Sequence, residues 1–446
     1  MPSRGNRHNC IWKTAPGATA ICLSWAIVLA MAVVAIPAPA QTYSVLHTFY
    51  RASDSGFPYA GLTMDKAGNL YGTAYASFVC NGGSECYGIV FKLSNKGAGW
   101  TFTPIYSFTG GADGSYPIGG VTIGPDGALY GTTTQVFTGY GTVFRLAPPP
   151  SVCKSVSCPW TQTVLYEFAG GYDGAFPYSD LIFDAAGNLY GTTYGGGQYG
   201  NGTVFKLTPS NGGWTESLLH SFYGGTDGAT PESGLVFDKA GNLYGTTYAG
   251  GYSGCSSDYG CGTVFQLTPA GNGWTERILY YFQGKPDGDA PYAGLILDGS
   301  GNLYGVASAD GPNGGGTVFE LAPSNGGWAF NLLYALAGNS GSGTPNPGPR
   351  GRLFMDAAGN LYGVTIQDGG KNTGTVFELA PSNGGWAYNQ LYLFCENGYP
   401  CSDGAWPWGG LVLDGKGNIY GTAIAGGYGD GNCSGGGCGV VFEITP

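Results

Sequence analysis

The sequence predicts an all-β chain: a seven-bladed β-propeller with four short strands per blade, closed by an N-terminal strand pairing in the last blade. Three observations predict it. A Tyr-Gly step recurs at Tyr71, Tyr130, Tyr190, Tyr244, Tyr304, Tyr362 and Tyr420, at spacings of 59, 60, 54, 60, 58 and 58 residues. Each copy holds four short apolar segments rich in β-branched and aromatic residues, with no sustained helical period between them. The copies are also out of phase with the chain ends, which a ring needs and a linear array does not.

The fourth copy illustrates the elements. Gly234–Phe237 is the first strand, and Asp238 to Asn242 (Asp-x-x-Gly-Asn) is a turn. Asp, Gly and Asn supply conformations and local side-chain-to-backbone bonds that a strand interior disfavours. Leu243–Thr247 completes the hairpin, and Gly262–Leu267 follows with a Thr-Val-Phe-x-Leu core. Such a strand is apolar on both sides, as blades packed face to face require. The fourth strand, Trp274–Phe282, follows a pattern of Trp with Phe or Leu eight residues on: Trp100/Phe108, Trp160/Phe168, Trp214/Phe222, Trp274/Phe282, Trp328/Leu336 and Trp386/Phe394.

Only six such pairs occur, because the chain stops after the seventh third strand, Gly439–Ile444. The missing strand stands at the other end. Tyr43–Phe49 matches the fourth-strand pattern, with Gln41 in the Trp register, and is expected to pair beside Gly439–Ile444. Closure hides sheet edges that an open array leaves unpaired.

The first 40 residues differ in kind. Arg4, Arg7 and Lys13 precede an apolar run from about Ile21 to Ile36 and then Pro37-Ala38-Pro39-Ala40. That order reads as a secretory signal peptide cleaved after Ala40, with an uncleaved membrane anchor as the rival. Residues 41–446 are expected to form the propeller as one domain, monomeric, secreted or periplasmic, with no membrane span. Losing three basic side chains takes the net charge from −11 to −14. Such acidity argues against nucleic acid or anionic lipid as partner.

Ten cysteines fall in close pairs: Cys80/Cys86, Cys153/Cys158, Cys255/Cys261, Cys395/Cys401 and Cys433/Cys438. In an exported chain an even set of pairs reads as disulfides, and zinc is disfavoured by the absence of CxxC spacing and nearby histidine. Closing such short loops contributes about 2 kcal/mol each in the chain-entropy model, enough to pin loops but not to make a fold.

The copies resemble the GloVer tandem repeat of exported bacterial proteins, also called choice-of-anchor tandem repeat proteins. Three phrases carry the resemblance: GLVFDKAGNLYGTT at 234–247, GTVFKLTPSNGGW at Gly202–Trp214 and SFYGGTDGATP at 221–231. Their fixed order covers 41–446 and implies secretion, often with a C-terminal anchor, which is not expected here. It implies no catalytic residue. The Asp-x-x-Gly-Asn-x-Tyr hairpin is similar to NHL-type propeller repeats, over one hairpin per blade.

Most chemistry-bearing residues have structural readings. His47 and His220 occupy the Tyr place of the Leu-Tyr-x-Phe strand, which leaves no histidine for a Ser-His-Asp site or a His-ligated metal. Asp65, Asp184, Asp238, Asp298, Asp356 and Asp414 are read as turn caps, with Gly124-Pro125-Asp126 instead in the second copy. Asp113, Asp173, Asp227, Asp287 and Asp403 open the inter-blade loops, where a plain turn is preferred and calcium is the alternative.

Broken symmetry marks the candidate ligand site. Just before the first strand the copies read Pro-Tyr-x-Gly-Leu. The Tyr place holds Tyr59, Ile118, Tyr178, Glu232, Tyr292, Arg350 and Trp408, and the Gly place holds Gly61, Gly120, Asp180, Gly234, Gly294, Arg352 and Gly410. Seven similar residues would serve stability, so Asp180, Glu232, Arg350 and Arg352 call for another reason, drift at a solvated rim being the plain one. Flanked by Tyr59, Tyr178, Tyr292 and Trp408, they would give a stacking surface with a few orienting charges. The function expected is non-catalytic binding of a glycan or another exported protein. The alternative is a glycoside hydrolase or polysaccharide lyase using carboxylates such as Asp180 and Glu232.

Overall fold

The computed structural model describes residues 41–50, 54–75, 86–97, 99–135, 139–150, 158–255, 259–271, 273–338, 348–368, 372–398, 400–427 and 437–446. Each repeat folds into one antiparallel sheet whose strands follow chain order from the first to the fourth. In the fourth blade these are Val236–Phe237, Leu243–Thr247, Thr263–Ala270 and Gly273–Tyr281. Two bounds differ from expectation. The first strand pairs over two residues only, Val236 with Tyr244 and Phe237 with Leu243. The third strand continues past Leu267, since Pro269 and Ala270 pair with Trp274 and Gly273 across a tight turn.

The seven sheets form a closed seven-bladed propeller. Its seventh blade joins Val412–Leu413, Ile419–Ala425 and Val440–Thr445 to the N-terminal Thr42–Thr48. Register runs from Thr42 opposite Thr445 to Thr48 opposite Val440. Phe49 then packs with Leu62, Leu70 and Phe91 of the first blade, and the Tyr43 ring stacks on Tyr392 of the sixth at 3.9 Å. This sheet also gains a fifth strand, Ala405–Pro407, where other blades have isolated bridges such as Ala229 to Ala249.

The Tyr-Gly step has a packing cause. Gly245 lies opposite Phe265 on the next strand, and a Cβ there would sit 2.6 Å from Phe265 Cζ. All seven copies repeat this arrangement, from Gly72 under Phe91 to Gly421 under Phe442. The ring fills the space glycine leaves, and Phe222 of the preceding blade meets Phe265 edge-on at 5.2 Å. A second blade-to-blade contact seats each lead-in proline on the glycine that opens the preceding blade's third strand. A Cβ on Gly262 would lie 2.5 Å from Pro291 Cδ, and one on Gly439 would lie 2.7 Å from Pro58 Cδ.

The assigned turn caps hold. Asp238 Oδ1 accepts from the backbone N–H of Ala240 and Asn242, while Oδ2 accepts from Asn242 Nδ2 and Tyr244 Oη. In the second blade Asp126 takes over, accepting from Ala128 N–H, Tyr130 and Arg145. The inter-blade aspartates accept from fourth-strand side chains: Asp113 from Tyr106, Asp173 from Tyr166, Asp287 from Tyr280 and Asp403 from Tyr392. His47 and His220 fill that Tyr place, paired with Asp54 and Asp227. Disulfides join Cys255 to Cys261 and Cys395 to Cys401. Cys86, Cys158 and Cys438 are also disulfide-bonded. Their expected partners Cys80, Cys153 and Cys433, and the expected signal segment, lie outside the described residues.

Candidate functional site

The mouth of the ring is built by the segments leading into each first strand. Two residues before the variable Tyr place, six of the seven copies hold a non-glycine residue at positive φ: Phe57, Tyr116, Phe176, Thr230, Ala290 and Trp406, at 50° to 61°. L-residues avoid this region at a cost of about 1–2 kcal/mol, so the surroundings must impose it. Neighbouring strands do so from both sides. Thr230 N–H donates to Asn201 O of the preceding blade, and Tyr248 N–H donates to Thr230 O. After this clamp comes the rigid, seated proline, and the next side chain points over the mouth. Its identity can vary because the backbone is fixed without it.

At the Tyr place the structure brings the predicted residues together. The Arg350 guanidinium lies 3.4 Å from the Tyr292 ring centroid and 4.3 Å from that of Trp408, a cation held between two aromatic rings from the blades on either side. Trp408 meets Tyr59 edge-on at 5.5 Å, and Tyr59 meets Tyr75 at 5.6 Å. On the other side Tyr292 packs against Tyr248 at 4.5 Å, and Tyr178 against Tyr194 at 5.2 Å.

Glu232 enters this aromatic wall from the fourth blade. Burial pushes its carboxyl up to about 7 against the pull of Arg350. Burial also lowers the Arg350 guanidinium from its usual value, with Tyr292 and Glu232 opposing the change. Burial first, and then the Glu232 charge, push Tyr178 up to about 12. The Glu232 charge acts on Tyr194 and Tyr292 as well, raising both. Yet among the described residues neither Glu232 nor Arg350 forms an ion pair within 4.0 Å. Arg350 Nε is buried with no hydrogen-bond partner.

Asp180 and Arg352 stand two residues further on, in the ring of glycines where adjacent blades touch. There a Cβ on Gly61 would lie 2.5 Å from Gly410 O, and one on Gly294 would lie 2.8 Å from Gly234 O. Asp180 Oδ1 accepts from Gly120 N–H at 2.6 Å, so its carboxylate is engaged by the second blade. The Arg352 stem passes Gly294, whose Cβ would lie 3.5 Å from Arg352 Cδ. Both side chains are exposed. The eight predicted residues thus divide between an aromatic mouth and this glycine ring.

Tyr75, Tyr194 and Tyr248 were not among the predicted residues. They follow the second strand, at a place that varies as the Tyr place does: Tyr75, Thr134, Tyr194, Tyr248, Ser308, Ile366 and Ile424. That variation was the available signal. The described residues contain no group of three or more His, Cys, Asp or Glu side chains placed to hold a metal ion.

Fold and site define a seven-bladed propeller with a polar pair set in an aromatic mouth. The chain belongs to the Gloeobacter/Verrucomicrobia repeat family, whose model matches residues 32–257 and 252–446. No curated protein matches the chain in sequence. Among solved structures it is similar to a Thermus thermophilus protein assigned as an oxidoreductase (glucose dehydrogenase), at 15% identity and TM-score 0.42, over 91% of this chain and 99% of that one. It is also similar to a luciferin-regenerating enzyme (10% identity, TM-score 0.41, 91% and 95% covered). A Dyadobacter fermentans protein of unknown function shows 9% identity and TM-score 0.46, with 91% and 98% covered. At this level these likenesses bear on no chemistry.

Proposed function

We propose that this chain is an exported, non-catalytic binding propeller that takes a glycan at the aromatic mouth. The observation that carries the reading is the broken symmetry of the Tyr place. Two charged residues stand where four of the seven copies carry an aromatic, and one is held between Tyr292 and Trp408 at a site where stability alone favours another aromatic. Aromatic faces suit the apolar faces of pyranose rings, while a few fixed polar groups orient hydroxyls. Disulfides in the loops support an oxidising compartment.

Glycan-array and thermal-shift comparison of the wild type with the double variant Glu232→Tyr/Arg352→Gly tests this. Both changes restore the repeat, so stability should hold or rise while glycan binding falls at least ten-fold. Unchanged ligand profiles would mean the rim substitutions are drift and the reading is wrong.

One observation favours a second reading. A carboxyl held near 7 is suited to donate a proton, so Glu232 could serve as the acid of a glycoside hydrolase or lyase. Release of reducing ends or unsaturated products from a polysaccharide panel, lost in Glu232→Gln, would favour the enzyme over the binder.

A further inference from the structure

We infer that the ligand of the mouth is an acidic sugar, its carboxylate taken by Arg350 and its ring stacked on the neighbouring tyrosines. This rests on the glycan-binding reading and narrows it. An arginine withdrawn from water needs a counter-charge or hydrogen-bond acceptors to offset its lost hydration. Tyr292 and Trp408 hold the Arg350 guanidinium at 3.4 and 4.3 Å from their ring centroids, contacts that stabilise the cation without neutralising it. Tyr292 supplies a hydrogen bond, but no carboxylate among the described residues comes within ion-pair distance, and Nε is buried without a partner. A planar guanidinium fixed between rings presents its fork to a carboxylate with little further ordering.

The neighbouring groups agree with an anionic ligand. Arg352 lies two residues away, exposed, on the same lead-in segment. In a chain of net charge −11 with 17 basic residues, two arginines two residues apart in one lead-in segment form a local exception. Asp180 does not oppose them freely, because Gly120 N–H holds its carboxylate. Glu232 is the remaining acid. Its charge acts on Arg350, Tyr178, Tyr194 and Tyr292, and burial favours its neutral form, in which it donates a hydrogen bond and does not repel a carboxylate.

The test is calorimetric titration of the full chain with oligosaccharides of galacturonate, glucuronate and mannuronate, each beside its methyl ester. Esterification removes the charge and keeps the ring. A free acid should bind at least ten-fold tighter than its ester, and Arg350→Met should abolish that preference. Arg350→Lys should retain part of it, and circular dichroism should confirm that both variants fold. Glu232→Gln should bind the acid with less pH dependence between pH 6 and 8. Equal affinity for acid and ester, or an acid preference that survives in Arg350→Met, overturns this inference. Binding of neutral glycans alone overturns it while leaving the glycan-binding reading intact, and a blank neutral and acidic array removes both.

Discussion

Besides Glu232, two glutamates on neighbouring fourth strands are pushed up to about 7. Burial acts first on each, followed by Asp173 for Glu216 and by Asp227 for Glu276, where His220 pulls the other way. Glu216 Oε1 and Glu276 Oε1 are buried with no hydrogen-bond partner. In the other blades this place holds an apolar or neutral residue, such as Phe102 stacked on His47 at 3.6 Å or Phe330 on Tyr280 at 4.5 Å. The sign follows from proton counting. Between about 4.5 and 7 the folded chain keeps protons that the unfolded chain has released, so stability falls as pH rises through that window. The turn-capping aspartates act oppositely. Burial would raise Asp238, but hydrogen bonds from Asn242, Tyr244 and Ala240 outweigh it and hold it low, so its stabilisation is lost in acid. The melting temperature should therefore peak at about pH 4–5 and decline towards pH 8. Glu216→Gln/Glu276→Gln should raise it by a few degrees at pH 8, roughly, and flatten the decline. Calorimetry at pH 5 and pH 8 checks this, and an unchanged slope in the double variant would refute the assignment.

The strand pair behind the Tyr-Gly step makes a sharper prediction. Gly245→Ala places a methyl against the Phe265 ring, in a seam also closed by Leu235, whose Cδ2 would lie 2.9 Å from that Cβ. Overpacking of this kind costs about 1–3 kcal/mol, readable by denaturant titration, and Phe265→Leu should recover part of it by giving back volume. If Gly245→Ala is neutral, the glycine is there for the turn and not for the ring. At this scale the strands were legible because apolar runs and turn residues alternate in all seven copies. One device was not. Each fourth strand bulges at the residue before the Tyr place, Ile105 in the first blade and Leu in the others, for example at Leu219 between Leu218 and His220 and at Leu279 between Ile278 and Tyr280. A bulge sets two successive residues against one on the partner and re-aims the chain. It lets Leu219 and Leu279 join the inter-blade cores. In the sequence it shows only as Leu-Tyr, Ile-Tyr or Leu-His breaking the two-residue alternation, a signal that any strand end can produce.

Across the whole molecule, ring order was legible from the period and the phase shift, because identical units must share one packing solution. The charged mouth residues were legible as departures from that period. Their partners were not, since Arg350 meets Tyr292 and Trp408 only through blades that flank its own, at distances no single repeat encodes. Closure makes the strongest demand on the fold. Thr42–Thr48 pairs along the whole of Val440–Thr445, Phe49 is fully buried among first-blade residues, and Thr422 Oγ1 donates to Ala60 O across the seam. A chain beginning at residue 51 loses the strand, the stack of Tyr43 on Tyr392 and the Phe49 anchor together. The exposed strand edge then offers unpaired backbone groups to other chains. Such a chain should aggregate or lose its cooperative transition, while Phe49→Ala in the full chain should remain folded with about 3–5 kcal/mol less stability. Size-exclusion chromatography and thermal melts separate the outcomes. A shortened chain that stays monomeric and melts like the longer one would show that the seventh blade is stable with three strands and that the ring does not depend on its N-terminal clasp.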